Sequence, residues 1–193
     1  MSGDNNTHVS MRQPTIRVRH GSDTDATLLA ELGARTFSDT FAKDNTPEDM
    51  RDYLATNFNP EKQTNELSNP QALFLIADVE KVAIGYAKLE ASSAPVDVIG
   101  KRSIELVRLY AAKDWLGKGV GSALMQACLD EARQRGYDTI WLGVWERNPR
   151  ANAFYEKWGF VTFGTHSFQL GDDTQTDILM QRPVTLPTTS KDD

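Results

Sequence analysis

An apolar, strand-like run ends at Ala111 and Ala112, a turn carrying Gly117, Gly119 and Gly121 follows, and a helical pattern starts at once. This junction limits the possible folds more than any other part of the chain. A strand end and a helix mouth must lie side by side with little side-chain bulk between them. Glycine allows close backbone approach and left-handed dihedrals. The first N–H groups of a helix have no intrahelical partner, and the positive end of the helix dipole lies behind them. Together these features form a cradle for a pyrophosphate-like anion, with the main chain of Gly117, Lys118, Gly119, Val120, Gly121 and Ser122 as its donors.

Several phosphate-binding patterns compete for this turn. A nucleoside-triphosphate loop needs G-x-x-x-x-G-K-[ST]; here Lys118 stands between two glycines and no Gly-Lys-Ser/Thr follows. A dinucleotide fingerprint needs G-x-G-x-x-G, and the spacing 117, 119, 121 departs from it. Glycine used only for close helix packing is the third possibility.

A second motif lies downstream. Residues 148–160, Asn-Pro-Arg-Ala-Asn-Ala-Phe-Tyr-Glu-Lys-Trp-Gly-Phe, fit N-x-x-A-x-x-F-Y-x-x-x-G-F. In this order and at this separation, the two motifs resemble the GNAT superfamily of acyl-CoA-dependent N-acetyltransferases. Residues 36–41, 46–50, 141–148 and 166–180 further resemble the bacterial PaiA-type spermidine/spermine acetyltransferases, with similarity over about 15–182. The resemblance implies that the glycine turn holds the pyrophosphate of acetyl-CoA, that Asn148 lies near the pantetheine arm, and that Tyr155 lies near the thioester sulfur. It also implies that the strand carrying Leu109, Tyr110 and Ala111 splays from the strand at 141–145. The freed backbone then bonds the cofactor amides and the thioester oxygen. One position departs from the pattern: Leu116 stands where the family has Arg or Gln, so Lys118 or Lys113 would have to supply the missing charge.

The chain has 193 residues, enough for one domain with a real core. The expected domain spans 15–182, between a disordered N-terminal tail at 1–14 and a polar C-terminal tail at 183–193. No apolar run approaches the roughly 20 residues of a membrane span, and the N-terminus lacks a signal-peptide pattern. The single cysteine, Cys128, excludes an internal disulfide and suits a cytoplasmic protein; it falls on an apolar helix face and reads as core. The net charge of −6 disfavours nucleic acid and favours a cationic partner, although many cytosolic proteins are simply acidic. Three scattered histidines and one cysteine give no metal-ligand spacing.

Residues 15–19 alternate as a strand, and Ser22 precedes a helical stripe over 23–37. Thr46-Pro47 and Asn59-Pro60 are two helix starts with proline at the first position. These short helices should wall an acceptor site. Residues 73–77 and 82–89 read as a hairpin, followed by a polar link over 91–101. A strand at 103–111, a helix at 119–135 stopped by Gly136, and a strand at 139–145 form a crossover that requires parallel pairing. A short helix at 149–158 capped by Asn148 and a closing hairpin of 160–170 with 176–181 complete the pattern. The expected architecture is a mixed, twisted α/β sheet of about six or seven strands with helices on both faces, the GNAT fold.

Transfer of an acetyl group to an amine sets three demands. A primary ammonium titrates near 10.4, so about one molecule in a thousand is free base at neutral pH. A carboxylate is needed to take the proton; Glu105 is the first candidate and Glu90 the second. The oxyanion needs aimed N–H donors. The leaving thiolate needs a donor, and Tyr155 is the candidate, although the equilibrium gain is small for a thiol near 8.5 and a phenol near 10. Asn152 lies one turn beyond Asn148 on the same helix face and is expected to share its cofactor contact. Phe154 reads as core. His166 reads as structural, and Asp172, Asp173 and Asp177 could line a cationic pocket, although turn chemistry also explains the first two.

The leading expectation is an acetyl-CoA-dependent N-acetyltransferase acting by direct transfer, without an acyl-enzyme, on a primary amine, by resemblance a polyamine. Alternative acceptors are an antibiotic, an amino acid or a protein N-terminus. An acyl-CoA-binding sensor without catalysis is the reading from another class. Relatives make a homodimer a reasonable expectation, and no metal or membrane partner is expected.

Overall fold

A computed structural model describes residues 14–95, 97–170 and 173–185. The expected N-terminal tail lies outside these residues apart from its last position, as do Asp172 and the end of the C-terminal tail. The strands are β1 (Arg17–His20), β2 (Ala72–Val79), β3 (Val82–Glu90), β4 (Ser103–Ala111), β5 (Thr139–Trp145), β6 (Val161–Leu170) and β7 (Asp173–Pro183). The helices are α1 (Ala26–Phe41), α2 (Pro47–Asn57), α3 (Pro60–Leu67), α4 (Val120–Gln134) and α5 (Pro149–Lys157). The strands form one seven-stranded sheet in the order β1-β2-β3-β4-β5-β7-β6. Pairing is antiparallel except between β4 and β5, as the crossover through α4 requires.

Local grammar explains several helix ends. Thr46 Oγ1 accepts from the Asp49 N–H at 3.1 Å, and Asn59 Oδ1 accepts from the Lys62 N–H at 2.8 Å, each with proline next in the chain. Gly136 adopts a φ of 73° after α4, and the Tyr137 N–H reaches back to the Ala132 carbonyl at 2.9 Å, a helix stop that needs a left-handed residue. The β2–β3 hairpin turns at Glu80 and Lys81, both with positive φ, the two-residue turn whose twist suits a hairpin. α1 starts and ends later than the expected 23–37. Asp25 ends the preceding short turn, with its carboxylate bound to the Ser22 N–H at 2.8 Å and to Arg19 at 2.8 Å.

Helices cover both faces of the sheet. The larger core lies under α4 and α5, where Val120, Leu124, Met125, Cys128 and Tyr155 meet Ile104, Leu106, Ile140 and Leu142. Cys128 is fully buried, and burial pushes its thiol well above the ordinary range. On the opposite face, Leu29 and Leu32 of α1 pack on Phe74, Ile76 and Tyr86. The domain continues past 182: Val184 is buried in the main core and donates its N–H to the Asp138 carbonyl at 2.9 Å. No helix among the described residues is long and apolar enough to cross a membrane.

Candidate active site

β4 and β5 pair only at Ser103↔Thr139, Ile104↔Ile140 and Glu105↔Trp141. Beyond this point β4 stays with β3 as far as Ala111, and β5 stays with β7 as far as Trp145. The two strands diverge, and their facing edges carry backbone donors and acceptors without a strand partner. Such groups need a ligand or water. A cleft of about 910 Å³ opens in the gap and is lined from both faces of the sheet. The α4 and α5 side contributes the glycine turn and Tyr155; the α1 and α2 side contributes aromatic and charged side chains.

On the first side, Gly117 and Gly119 have φ of 77° and 89°; Gly117 faces open space, and a methyl on Gly119 would meet only Ile16 at 3.8 Å. α4 starts at Val120, and the Ala123 N–H is already bound to the Gly119 carbonyl. The N–H groups of Val120, Gly121 and Ser122 are therefore the free donors of the helix mouth. The Val120 side chain is itself buried core, so any ligand contact there comes from its backbone. A methyl on Gly121 would sit 3.4 Å from Phe154, an ordinary contact, so helix packing does not by itself require glycine here. Leu109, Tyr110 and Ala111 line the cleft. The Tyr110 ring is packed edge-on against Tyr86 and Phe58, and its backbone pairs with Tyr86 of β3.

Several side chains depart from the sequence expectation. Lys118 lies over the Trp115 ring at 5.6 Å and does not line the cleft. Lys113 does line it, and so does Arg150, which sequence reasoning missed although it sits inside the second motif. Leu116 lines the cleft and is 40% exposed, a hydrocarbon where a polar side chain was expected. Asn148 lines the cleft while its Oδ1 accepts from the Ala151 N–H at 3.1 Å, capping α5. Asn152 turns the other way. Its amide donates to the Trp145 and Glu146 carbonyls at 3.4 Å, and it is absent from the cleft lining. Its Oδ1 is buried without a protein partner among the described residues.

Tyr155 is 8% exposed and reaches the cleft from α5, with Phe154 and Phe160 packed against its ring. Burial pushes its hydroxyl well above the ordinary phenol range, with Cys128 adding to the shift. Full proton transfer from this phenol to a thiolate would be uphill, which suits a hydrogen-bond donor better than an acid.

On the other side, Glu105 lines the cleft at the last paired position of β4. It accepts from Ser92 Oγ at 2.6 Å. Burial raises its pKa, opposed by that hydrogen bond, and Glu90 raises it further. Glu90 does not line the cleft. It accepts from Asn69 Nδ2 at 2.9 Å and pairs with Lys88 Nζ at 2.8 Å, so the structure separates the two candidate bases. Arg108 lines the cleft too, held by Glu66 of α3 at 2.6 and 3.1 Å. Its charge is neutralised, and its guanidinium lies over Phe58 at 5.2 Å. This wall also carries Phe37 and Phe41 of α1, Tyr53 of α2, Trp145 of β5, His166 of β6 and Asp177 of β7, with Asp39 and Lys43 adding a charge of each sign.

A split parallel pair, a glycine-lined helix mouth at the split and a tyrosine from the next helix define an acyl-CoA-dependent transferase. The family model described as the acetyltransferase (GNAT) family matches residues 34–160. An uncharacterised N-acetyltransferase of Lactobacillus delbrueckii subsp. lactis is 34% identical over 88% of this chain and 98% of its own length. The ribosomal protein bS18-alanine N-acetyltransferase of Escherichia coli is 33% identical over 42% of this chain and 56% of its own length. Among solved structures, the PaiA N-acetyltransferase of Thermoplasma acidophilum in complex with coenzyme A superposes with a TM-score of 0.73 at 25% identity, covering 88% of this chain and 99% of that one. The chain belongs to the GNAT acetyltransferase family. It is an acetyl-CoA-dependent N-acetyltransferase.

Proposed function

We propose that the protein transfers an acetyl group from acetyl-CoA directly to a primary amine of a polycationic small molecule, a polyamine such as spermidine or spermine. The observation that carries this reading is the cleft itself: one cavity joins a main-chain anion cradle on one face of the sheet to an aromatic, carboxylate-bearing wall on the other. The coenzyme A bound to the Thermoplasma relative supports the same use of the cradle here. The residues fit such a group. The α4 mouth offers free N–H donors for the pyrophosphate, Lys113 and Arg150 offer cations in place of the side chain lost at Leu116, and the unpaired edge of β4 at 109–111 offers partners for amides.

Acetyl-CoA supplies an acetyl carbon held on a good leaving group, the thiolate. Glu105 takes the first proton from the acceptor ammonium, and its raised pKa brings it closer to the amine than an ordinary carboxylate. The nitrogen then forms the new C–N bond as the C–S bond breaks. Tyr155 donates a hydrogen bond toward the departing sulfur. The second proton shed by the nitrogen ends on that sulfur, and the first leaves to solvent from Glu105. Cys128 is buried in the core and does not line the cleft, so its thiol is not placed to take the acetyl group.

The partial likeness to the bS18-alanine enzyme keeps a protein N-terminus as the second reading. Thiol release from acetyl-CoA, followed with spermidine, spermine, simple amines, an amino acid and an alanine-initiated peptide, separates the two. Release with the polyamines at low concentration is the expected result. Release with the peptide alone would overturn the polyamine assignment, and silence with every amine would overturn the acceptor reading altogether.

A further inference from the structure

Asp177 is a half-buried carboxylate on the α1-facing wall of the cleft. Its side chain is 17% exposed, and the contact recorded for it among the described residues is with His166 Nε2 at 3.9 Å, beyond hydrogen-bond reach. Burial raises its pKa and His166 lowers it, with no hydrogen bond contributing. Its oxygens are open to the cleft that it lines, where a cationic ligand can reach them. The space in front of it is kept open by Gly143: a methyl there would come within 3.3 Å of Asp177 Oδ2 and 3.6 Å of His166 Cε1. Aromatic rings surround the same corner. Trp145 is the direct cross-strand partner of Asp177 and stacks obliquely on Phe41 at 5.4 Å. A carboxylate beside aromatic faces is the arrangement that recognises an ammonium ion.

The position relative to Glu105 sets a length. Glu105 is opposite Trp141 and Asp177 is opposite Trp145 on the same strand, four residues or roughly 13 Å of β5 apart. The two carboxylates mark the ends of a strand-length track across the sheet face that carries α1.

We propose that Asp177 is the specificity-determining residue that holds a second, non-reacting ammonium of the acceptor in the gap left by Gly143, while the reacting amine lies near Glu105. This assignment rests on the amine-acetyltransferase reading. It selects acceptors with two positive charges spaced along an alkyl chain over those with one.

The test compares kcat and KM for spermidine, 1,4-diaminobutane and butylamine in the wild-type protein and in Asp177→Asn, with acetyl-CoA affinity measured by calorimetry as the control for folding. The wild type should favour spermidine over butylamine in kcat/KM. In Asp177→Asn the spermidine KM should rise about tenfold or more, the loss expected for one charged contact. The butylamine KM and the acetyl-CoA affinity should change less than about twofold, since neither involves this contact. An unchanged spermidine-to-butylamine ratio in a variant that still binds acetyl-CoA would overturn the assignment while leaving the acetyltransferase reading intact. Wild-type protein inert toward every amine would overturn both. Should Asp177→Asn fail to fold, Gly143→Ala poses the same question by filling the gap. It should raise the spermidine KM several-fold and spare butylamine, and equal effects on the two amines would refute the proposal.

Discussion

The two halves of the cleft are built by different means. The half proposed for the cofactor is assembled mainly from two short local segments: the turn and helix mouth at 117–122, and the helix at 149–157 that brings Tyr155. The half proposed for the acceptor is assembled from side chains of α1, α2, β4, β5, β6 and β7, with partners such as Arg108 and Glu66 lying 42 residues apart. A backbone cradle tolerates sequence change provided the dihedrals and space survive. A side-chain wall changes its ligand with each substitution. One fold can therefore keep a fixed acyl donor while its acceptor varies, and the chemistry of the second half has to be read from this chain alone.

Substitutions that separate the halves test this division. The largest effect is expected at Glu66→Gln, which leaves the Arg108 guanidinium, 11% exposed, without its carboxylate. A loss of about 3 kcal/mol in unfolding free energy is expected by urea titration. Burial alone would raise the pKa of Glu66, but Arg108 and Lys88 hold it below the usual value. Its contribution is therefore full above the unfolded carboxylate range and is lost as pH falls through the folded value. In Glu66→Gln that part of the acid destabilisation should vanish. A variant as stable as the wild type would mean that α3 does not depend on the ion pair.

Glu105→Gln should lower kcat by about a hundredfold with acetyl-CoA affinity unchanged. Because the pKa of Glu105 is raised, the acidic limb of kcat/KM in the wild type should lie above the ordinary glutamate range, with activity falling as the pH drops through it. Persistence of that limb in the variant would assign it to another group. Gly119→Val forces a β-branched residue into a φ of 89° at the helix mouth. Acetyl-CoA binding should weaken by about tenfold by calorimetry, and the amine KM measured at saturating acetyl-CoA should hold. A matching loss in amine affinity would show that the halves are coupled. Tyr155→Phe should slow transfer by about tenfold or less with the acetyl-CoA affinity nearly intact, as fits a hydrogen-bond donor. An unchanged rate would remove Tyr155 from the chemistry.

Much of the cofactor half was legible before any coordinates. Strand, glycine turn and helix follow one another in the chain, and glycine at 117 and 119 has a single local reason, the left-handed φ that the turn adopts. The helix stops and proline starts were legible on the same ground. Helical spacing could not give the amide orientation of Asn152: its Nδ2 faces the carbonyls of Trp145 and Glu146. Likewise Lys118 is drawn onto Trp115, while Lys113 and Arg150 face the cleft. Glu105 and Glu90 look alike in the sequence. They differ because Lys88 and Asn69 occupy one and the cleft opens before the other.

Residues near one another in the chain, acting through dihedral limits, periodicity and hydrogen-bond caps, determined the helices, the hairpins, the crossover and the anion cradle. Tertiary structure decided the insertion of β7 between β5 and β6, the meeting of Asp177, His166 and Gly143, and the neutralisation of Arg108 by α3. The physical reason is range. Backbone preferences act over a few residues and repeat wherever the local pattern repeats, whereas the charge, exposure and orientation of a side chain depend on what the packed sheet and helices bring beside it.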